Sequence, residues 1–186
     1  LDSRATPTVE AICVLDSGQF SISSVPSGAS TGSHEALELR DEDPARYKGK
    51  GVLRAVNNVN NIIAPALAGM DPAQQVAIDE KLIALDGTEN KTKLGANAIL
   101  SVSEAVAKAG AAASGQNIYT WTQTIAMSLG MTASFHVPTP LFNMINGGLH
   151  GAGNLDFQEF WVVPASSKSY AQSLQEGVEI YMTLGE

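Results

Sequence analysis

At Gly51 the hydrophobic period of this chain changes, and that change limits the folds open to it. Before it, residues 8–15 alternate apolar and polar, Asp16-Ser17-Gly18 is a turn signal, and residues 19–25 resume the alternation with Phe20 and Ile22 on one face. This pattern predicts a β-hairpin. After it, Val52, Val56, Val59 and Ile63 recur at helical spacing, with Pro65 placed to end or kink the helix. Asp71 and Pro72 predict an N-cap and first helical residue, Ile78, Leu82 and Leu85 the next stripe, and Gly87 its end. A third helix over about 95–114 is crowded with alanine, which lets a neighbouring element approach closely. A fourth, weaker one runs over 118–129. A hairpin followed by helices is an α+β domain. Residues 35–40 are short and charged enough for one helical turn, stopped by Asp41-Glu42-Asp43-Pro44.

The stretch 132–140 holds two prolines and no clear period, so a boundary is expected there, with domains over 1–133 and 134–186. Beyond it, apolar runs at 141–145 and 157–163 read as strands. A helix over about 169–184 opens on a possible capping box of Ser169 and Gln172.

Composition removes several function classes. The 186 residues are 44% hydrophobic and carry a formal net charge of -8, a balance that repels nucleic acid and anionic membrane surfaces. One cysteine, Cys13, permits no intrachain disulfide and reads as a buried thiol in a reducing compartment. No apolar run reaches the roughly 18 residues of a spanning helix, and Leu1-Asp2-Ser3-Arg4 has no signal-peptide pattern.

Chemistry concentrates in two loops. Residues 143–160 join the two later strands through Gly147, Gly148, Gly151 and Gly153, with His150, Gln158 and Glu159 offering a titratable ring, an amide and a carboxylate. Glycines allow close backbone approach to a ligand and positive φ. A dinucleotide-binding loop is excluded, because the glycine spacing is off and a strand rather than a helix follows. Residues 25–32 form a second loop with three hydroxyls, able to donate to phosphate or ligate a hard cation, and suited to a lid. Taken alone, His150 reads as a structural histidine and the second loop as a serine-rich connector.

The two loops do not stand alone. Leu1-Asp2-Ser3-Arg4, Pro7-Thr8-Val9-Glu10, residues 25–32, His34-Glu35-Ala36-Leu37-Glu38, Lys50-Gly51-Val52, Leu85-Asp86-Gly87-Thr88, residues 93–100, Asn146-Gly147-Gly148 and Gln158-Glu159-Phe160 resemble enolase, in order and at matching spacings. The resemblance covers essentially the whole chain. It implies a glycolytic lyase, phosphopyruvate hydratase, that dehydrates 2-phosphoglycerate to phosphoenolpyruvate with Mg²⁺. The implied fold is an α+β amino-terminal domain followed by a modified (β/α)8 barrel, in a cytoplasmic homodimer. By the same resemblance Ser30 would ligate a metal ion, His150 and Gln158 would contact substrate, and Glu159 would lie near the substrate hydroxyl as part of the acid group. Arg4 and Glu10 resemble dimer-contact residues. Three departures stand out: Ala5-Thr6 replaces a usual Gly-Asn, Gly151 a common alanine, and Trp161 a typical methionine.

A (β/α)8 barrel takes around 250 residues, and only about 50 follow the boundary, so the barrel is expected to be incomplete. The first metal's carboxylate ligands, the lysine base and the substrate-binding arginine would fall outside this chain. The expectation is an enolase portion without activity of its own, prone to aggregate through exposed strand edges. Ser30 and His150 are expected to face one cleft. The alternative is a non-catalytic interaction module derived from enolase; a phosphate-binding protein of unrelated fold is a third reading.

Overall fold

The computed structural model describes residues 1–28, 32–132, 134–148 and 151–186, and the chain forms two compact units, Leu1–Ala133 and Ser134–Glu186. In the first, β1 (Val9–Val14) and β2 (Phe20–Val25) pair antiparallel, with Val9 opposite Val25 and Val14 opposite Phe20. Gly18, at φ +83°, closes the turn. The hairpin's bulkier face, with Ile12, Val14, Phe20 and Ile22, points to solvent. Its inner face is made of Val9, Ala11, Ser23 and Val25, all buried.

The small residues of α4 (Ala96–Ala113) explain that choice. Ala98, Ala105 and Ala109 are buried, and the hairpin packs on this helix. At so short a separation small inner side chains fit and polar groups can reach across. Ser21 Oγ donates to the Ala105 carbonyl at 2.6 Å, Ser23 Oγ bonds the Glu104 carboxylate, and Lys108 Nζ donates to the Ile22 carbonyl at 3.0 Å.

Residues 35–40 do not make the expected helical turn. They run as an extended strap whose backbone groups are already matched: Leu37 N–H donates to Asn90 O, and Ala96 N–H to Leu37 O, both at 2.7 Å. The buried Asn97 side chain accepts from Leu39 N–H and donates to Leu39 O, each at 3.1 Å, in place of a second strand. Gly95 is required beside it, since φ is +95° and a Cβ would lie 2.5 Å from Leu39 Cβ.

The helix after Gly51 passes through Pro65 rather than stopping. It consists of α1 (Leu53–Asn58), a π-helical stretch (Val59–Ile63) and α2 (Ala64–Leu67). Pro65 has no N–H and crowds the preceding turn, and the wider turn ahead of it, with Ala64 N–H bonded back to Val59 O, accommodates the ring. Asp41 caps α1 from a distance, its two carboxylate oxygens accepting from Leu53 N–H at 2.9 Å and Arg54 N–H at 2.8 Å.

The helix expected at Asp71 starts later. Asp71 makes a turn, accepting from Ala73 N–H at 2.9 Å, and α3 (Gln75–Asp86) begins only after Gln74, whose φ/ψ of -94°/52° is not helical. Gly87 ends it in the left-handed region at φ +68°. Next comes α5 (Ile118–Ser128). The core joins these elements: Val9, Leu39, Val52, Ile63, Ile78, Leu82, Leu94 and Val106 form one buried cluster.

In the second unit β3 (Phe142–Asn146) pairs antiparallel with β4 (Glu159–Val162), and the register slips by one residue at Met144, the mark of a β-bulge. Helix α6 (Tyr170–Leu184) carries the complete capping box, with Gln172 N–H donating to Ser169 Oγ at 3.3 Å and Ser169 N–H to Gln172 Oε1 at 2.9 Å. It lies against β3 at Gly177, where a Cβ would meet the Phe142 ring at 2.8 Å. Among the described residues no closed barrel forms, and no helix is long and apolar enough to cross a membrane.

Candidate functional site

The glycine loop is built as much for itself as for a ligand. Gly147 N–H donates to Gln158 O at 2.8 Å and Gly148 N–H to Leu155 O at 2.9 Å, so the ladder of β3 and β4 continues one step past Asn146 and Glu159. A Cβ on Gly147 would fall 2.1 Å from Phe157 O, and one on Gly151 2.7 Å from Asn146 O. Both must therefore be glycine, or the backbone must shift. Gly148 at φ +56° and Gly153 at φ +79° use conformational freedom instead. An alanine at 151 would not fit this loop as it stands.

Gln158 and Glu159 are both exposed at the mouth of the hairpin. The backbone bends through 156–158 before β4 begins at Glu159, so strand alternation does not set the relative direction of these two side chains. The Phe157 and Phe160 rings meet edge to face, 6.1 Å between centroids. Nearby, Asn143 Nδ2 donates to Asn146 Oδ1 at 2.7 Å. His150 lies outside the described residues, as does Ser30.

The flanks of the second loop are described, and they are tied down. Ser27 Oγ accepts from Arg40 Nη2 at 2.7 Å and donates to Glu38 Oε2 at 3.3 Å, while its carbonyl accepts from Arg4 Nη2. Arg40 also pairs with Glu38 and donates to Pro7 O at 2.6 Å and Lys50 O at 2.7 Å. On the far side Gly32 N–H donates to Glu35 Oε2 at 2.7 Å. Sequence reading did not find this clamp. Its one signal was an acid and a base two apart, Glu38 and Arg40, which in an extended strap share a face.

Arg4 thus has a partner within its own unit, and Glu10 accepts from Ser24 Oγ at 2.7 Å across the hairpin. The turn ahead of them accommodates Ala5 at φ +58°. There Asp2 Oδ1 accepts from the N–H groups of Arg4 and Thr6, both at 2.9 Å, and the Thr6 bond leads in holding the Asp2 carboxyl below its ordinary range. At Asp86 burial alone would raise the carboxyl. The Thr88 hydroxyl and the Leu94 and Thr88 N–H groups outweigh it and hold the group low.

Both halves of the chain match one family. The model described as enolase, N-terminal domain, matches residues 1–122, and that described as enolase, C-terminal TIM barrel domain, matches residues 134–186. The chain belongs to the enolase family. Its architecture is the enolase amino-terminal α+β domain followed by the start of the enolase barrel domain, with the glycine loop between the two strands of that start. Among the described residues no group of three or more His, Cys, Asp or Glu could hold a metal ion.

Proposed function

We propose that this chain is the amino-terminal domain and opening barrel segment of a hydro-lyase that converts 2-phosphoglycerate to phosphoenolpyruvate, acting in the cytoplasm as a homodimer. The matching of both enolase family models along one chain carries this reading. The reaction removes a weakly acidic proton beside a carboxylate, so positive charge near the intermediate governs its rate. Mg²⁺ is the cofactor the family supports, and when bound it supplies that charge. Ser30 is the residue of this chain proposed to hold it. His150 and Gln158 are proposed to hold substrate. Glu159 is proposed to sit at the substrate hydroxyl and assist its departure as water, a role in which an acid positioned within hydrogen-bond reach contributes roughly 10²–10⁴-fold.

The isolated 186 residues are proposed to be inactive, since β3, β4 and α6 make up a small part of a closed barrel. The test mixes the purified chain with Mg²⁺ and 2-phosphoglycerate and follows enol absorbance, alone and after co-expression with a polypeptide carrying later enolase barrel strands. Silence alone and turnover in the mixture are expected, with Ser30→Ala, His150→Ala and Glu159→Gln each lowering the restored rate on the order of 10²-fold or more. Turnover by the chain alone would overturn the inactivity. A restored rate indifferent to all three substitutions would overturn the residue roles. A second reading, a non-catalytic module that binds another chain, is favoured by one observation: Phe157, Trp161, Tyr181 and Met182 stand exposed on the second unit.

A further inference from the structure

Residues 26–28 leave β2 without a backbone–backbone hydrogen bond among the described residues, and Pro26 has no N–H to offer one. Side chains hold them instead. The Arg40 side chain, 16% exposed, donates from Nη1 to Pro7 O at 2.6 Å and Lys50 O at 2.7 Å, and from Nη2 to Ser27 Oγ at 2.7 Å and to the Glu38 carboxylate. Each terminal N–H of the guanidinium thus has an acceptor, in directions that its planar fork dictates. A lysine ammonium, a single atom carrying its donors, cannot span that set.

The rest of the fold does not depend on this grip. The strap that carries Arg40 is held by its own backbone, since Leu39 is buried and Asn97 bonds both its N–H and its carbonyl at 3.1 Å. Strand β2 is held through Val25, buried opposite Val9. What the guanidinium adds is a hold on one half-buried serine, which brings little apolar burial with it. Its effect is therefore on geometry, the direction in which the chain leaves β2.

We infer that Arg40 is a positioning residue: through the Ser27 hydroxyl it orients the root of the loop that leads to Ser30. The inference rests on the role proposed for Ser30 above. A misplacement of about 1 Å in a working group can cost about 10²-fold in rate, so the root matters even where the core is untouched. The test uses Arg40→Lys, which keeps the charge, and Ser27→Ala, which leaves the strap intact. In the ¹⁵N-labelled chain the order parameters of Ser27 and Gly28 are expected at about 0.85 and to fall below about 0.6 in both variants, with those of Val9 and Val25 and the urea midpoint unchanged. In the co-expressed mixture described above, the Mg²⁺ concentration giving half the restored rate is expected to rise on the order of tenfold, because a loop ordered for only part of the time binds more weakly in that proportion. Mere loss of folded chain would not move that concentration. Order parameters that stay high in either variant overturn the inference, and so does a loosened root with the Mg²⁺ requirement unmoved. A wild-type mixture that never turns over counts against the function proposed above, and the order parameters then decide the role of Arg40 by themselves.

Discussion

The two units obey different rules. In Leu1–Ala133 the side chains of Val9, Leu39, Ile63, Ile78, Leu82 and Leu94 are all buried in one cluster drawn from a hairpin, a strap and four helical segments. Among the described residues of Ser134–Glu186 the buried positions are Gly147, Pro164, Ser173 and Gly177, and the large apolar residues of β3, β4 and α6 are exposed or half-buried. Yet both units have well-formed elements. The second keeps its hairpin ladder and its capping box, so local chemistry can specify a strand or a helix start where the described residues bury no large apolar side chain to reward it. What it cannot supply is the free energy of apolar burial, the main term holding a domain folded.

Hydrogen exchange is the bluntest way to break this contrast. Amides in the middle of α4 are expected to exchange on the order of 10³-fold or more slowly than those in the middle of α6, since core elements open only with the whole domain and coreless ones open locally. Equal protection would show that α6 has found a cover. Next, Leu82→Ala, at a fully buried position, is expected to cost about 2–5 kcal/mol by urea denaturation. Phe160→Ala in β4 is expected to cost no more than about 1.5 kcal/mol, because its one special contact is the edge-to-face pair with Phe157 and the side chain otherwise lies at the surface. A large loss at Phe160 would give the second unit a core after all.

Asp86 sharpens the comparison through pH. Its carboxyl is held low in the folded state, so its stabilisation is fully present above the unfolded value of about 3.9 and is lost as pH falls through the lower folded value. The unfolding midpoint of the first unit is therefore expected to be flat from neutrality to about pH 5 and to fall below about pH 4. Asp86→Asn should flatten part of that acid slope while costing about 1–3 kcal/mol at neutral pH; an unchanged slope would remove Asp86 from the account. The smallest effect is expected at Ala5→Gly. Relief of a left-handed alanine is worth about 1–2 kcal/mol, and glycine's greater unfolded-state entropy offsets about 0.5–1 of it. A net gain of about 0.5 kcal/mol should remain, and a loss would mean the Asp2 turn favours the alanine.

Much of this was legible from residues alone, for identifiable reasons. The hairpin followed from strict alternation around Gly18, α4 from its length and small residues, and α6 from Ser169 and Gln172, whose signals are local. Residues 35–40 misled because charge and brevity suit a helical turn, while their structure is decided by Asn90, Ala96 and Asn97, more than 50 residues away. The start of α3 misled because Asp71 and Pro72 suit a tight turn as well as a helix cap. At the candidate site, the glycines marked the loop correctly, but whether each served a ligand, a positive φ or the chain's own packing depended on neighbours such as Phe157 O and Asn146 O. The family resemblance supplied Ser30, His150, Gln158 and Glu159; periodicity and composition could not have assigned their roles.

Ser27 has a consequence for how this molecule tolerates trimming. Its carbonyl is gripped by Arg4 and its hydroxyl by Arg40, so the opening tetrapeptide and the strap hold the hydroxyl-rich loop at its root, like two guy lines on one peg. Shortening the chain by a handful of residues at its beginning would therefore be felt more than twenty positions downstream, in a segment it never touches by sequence.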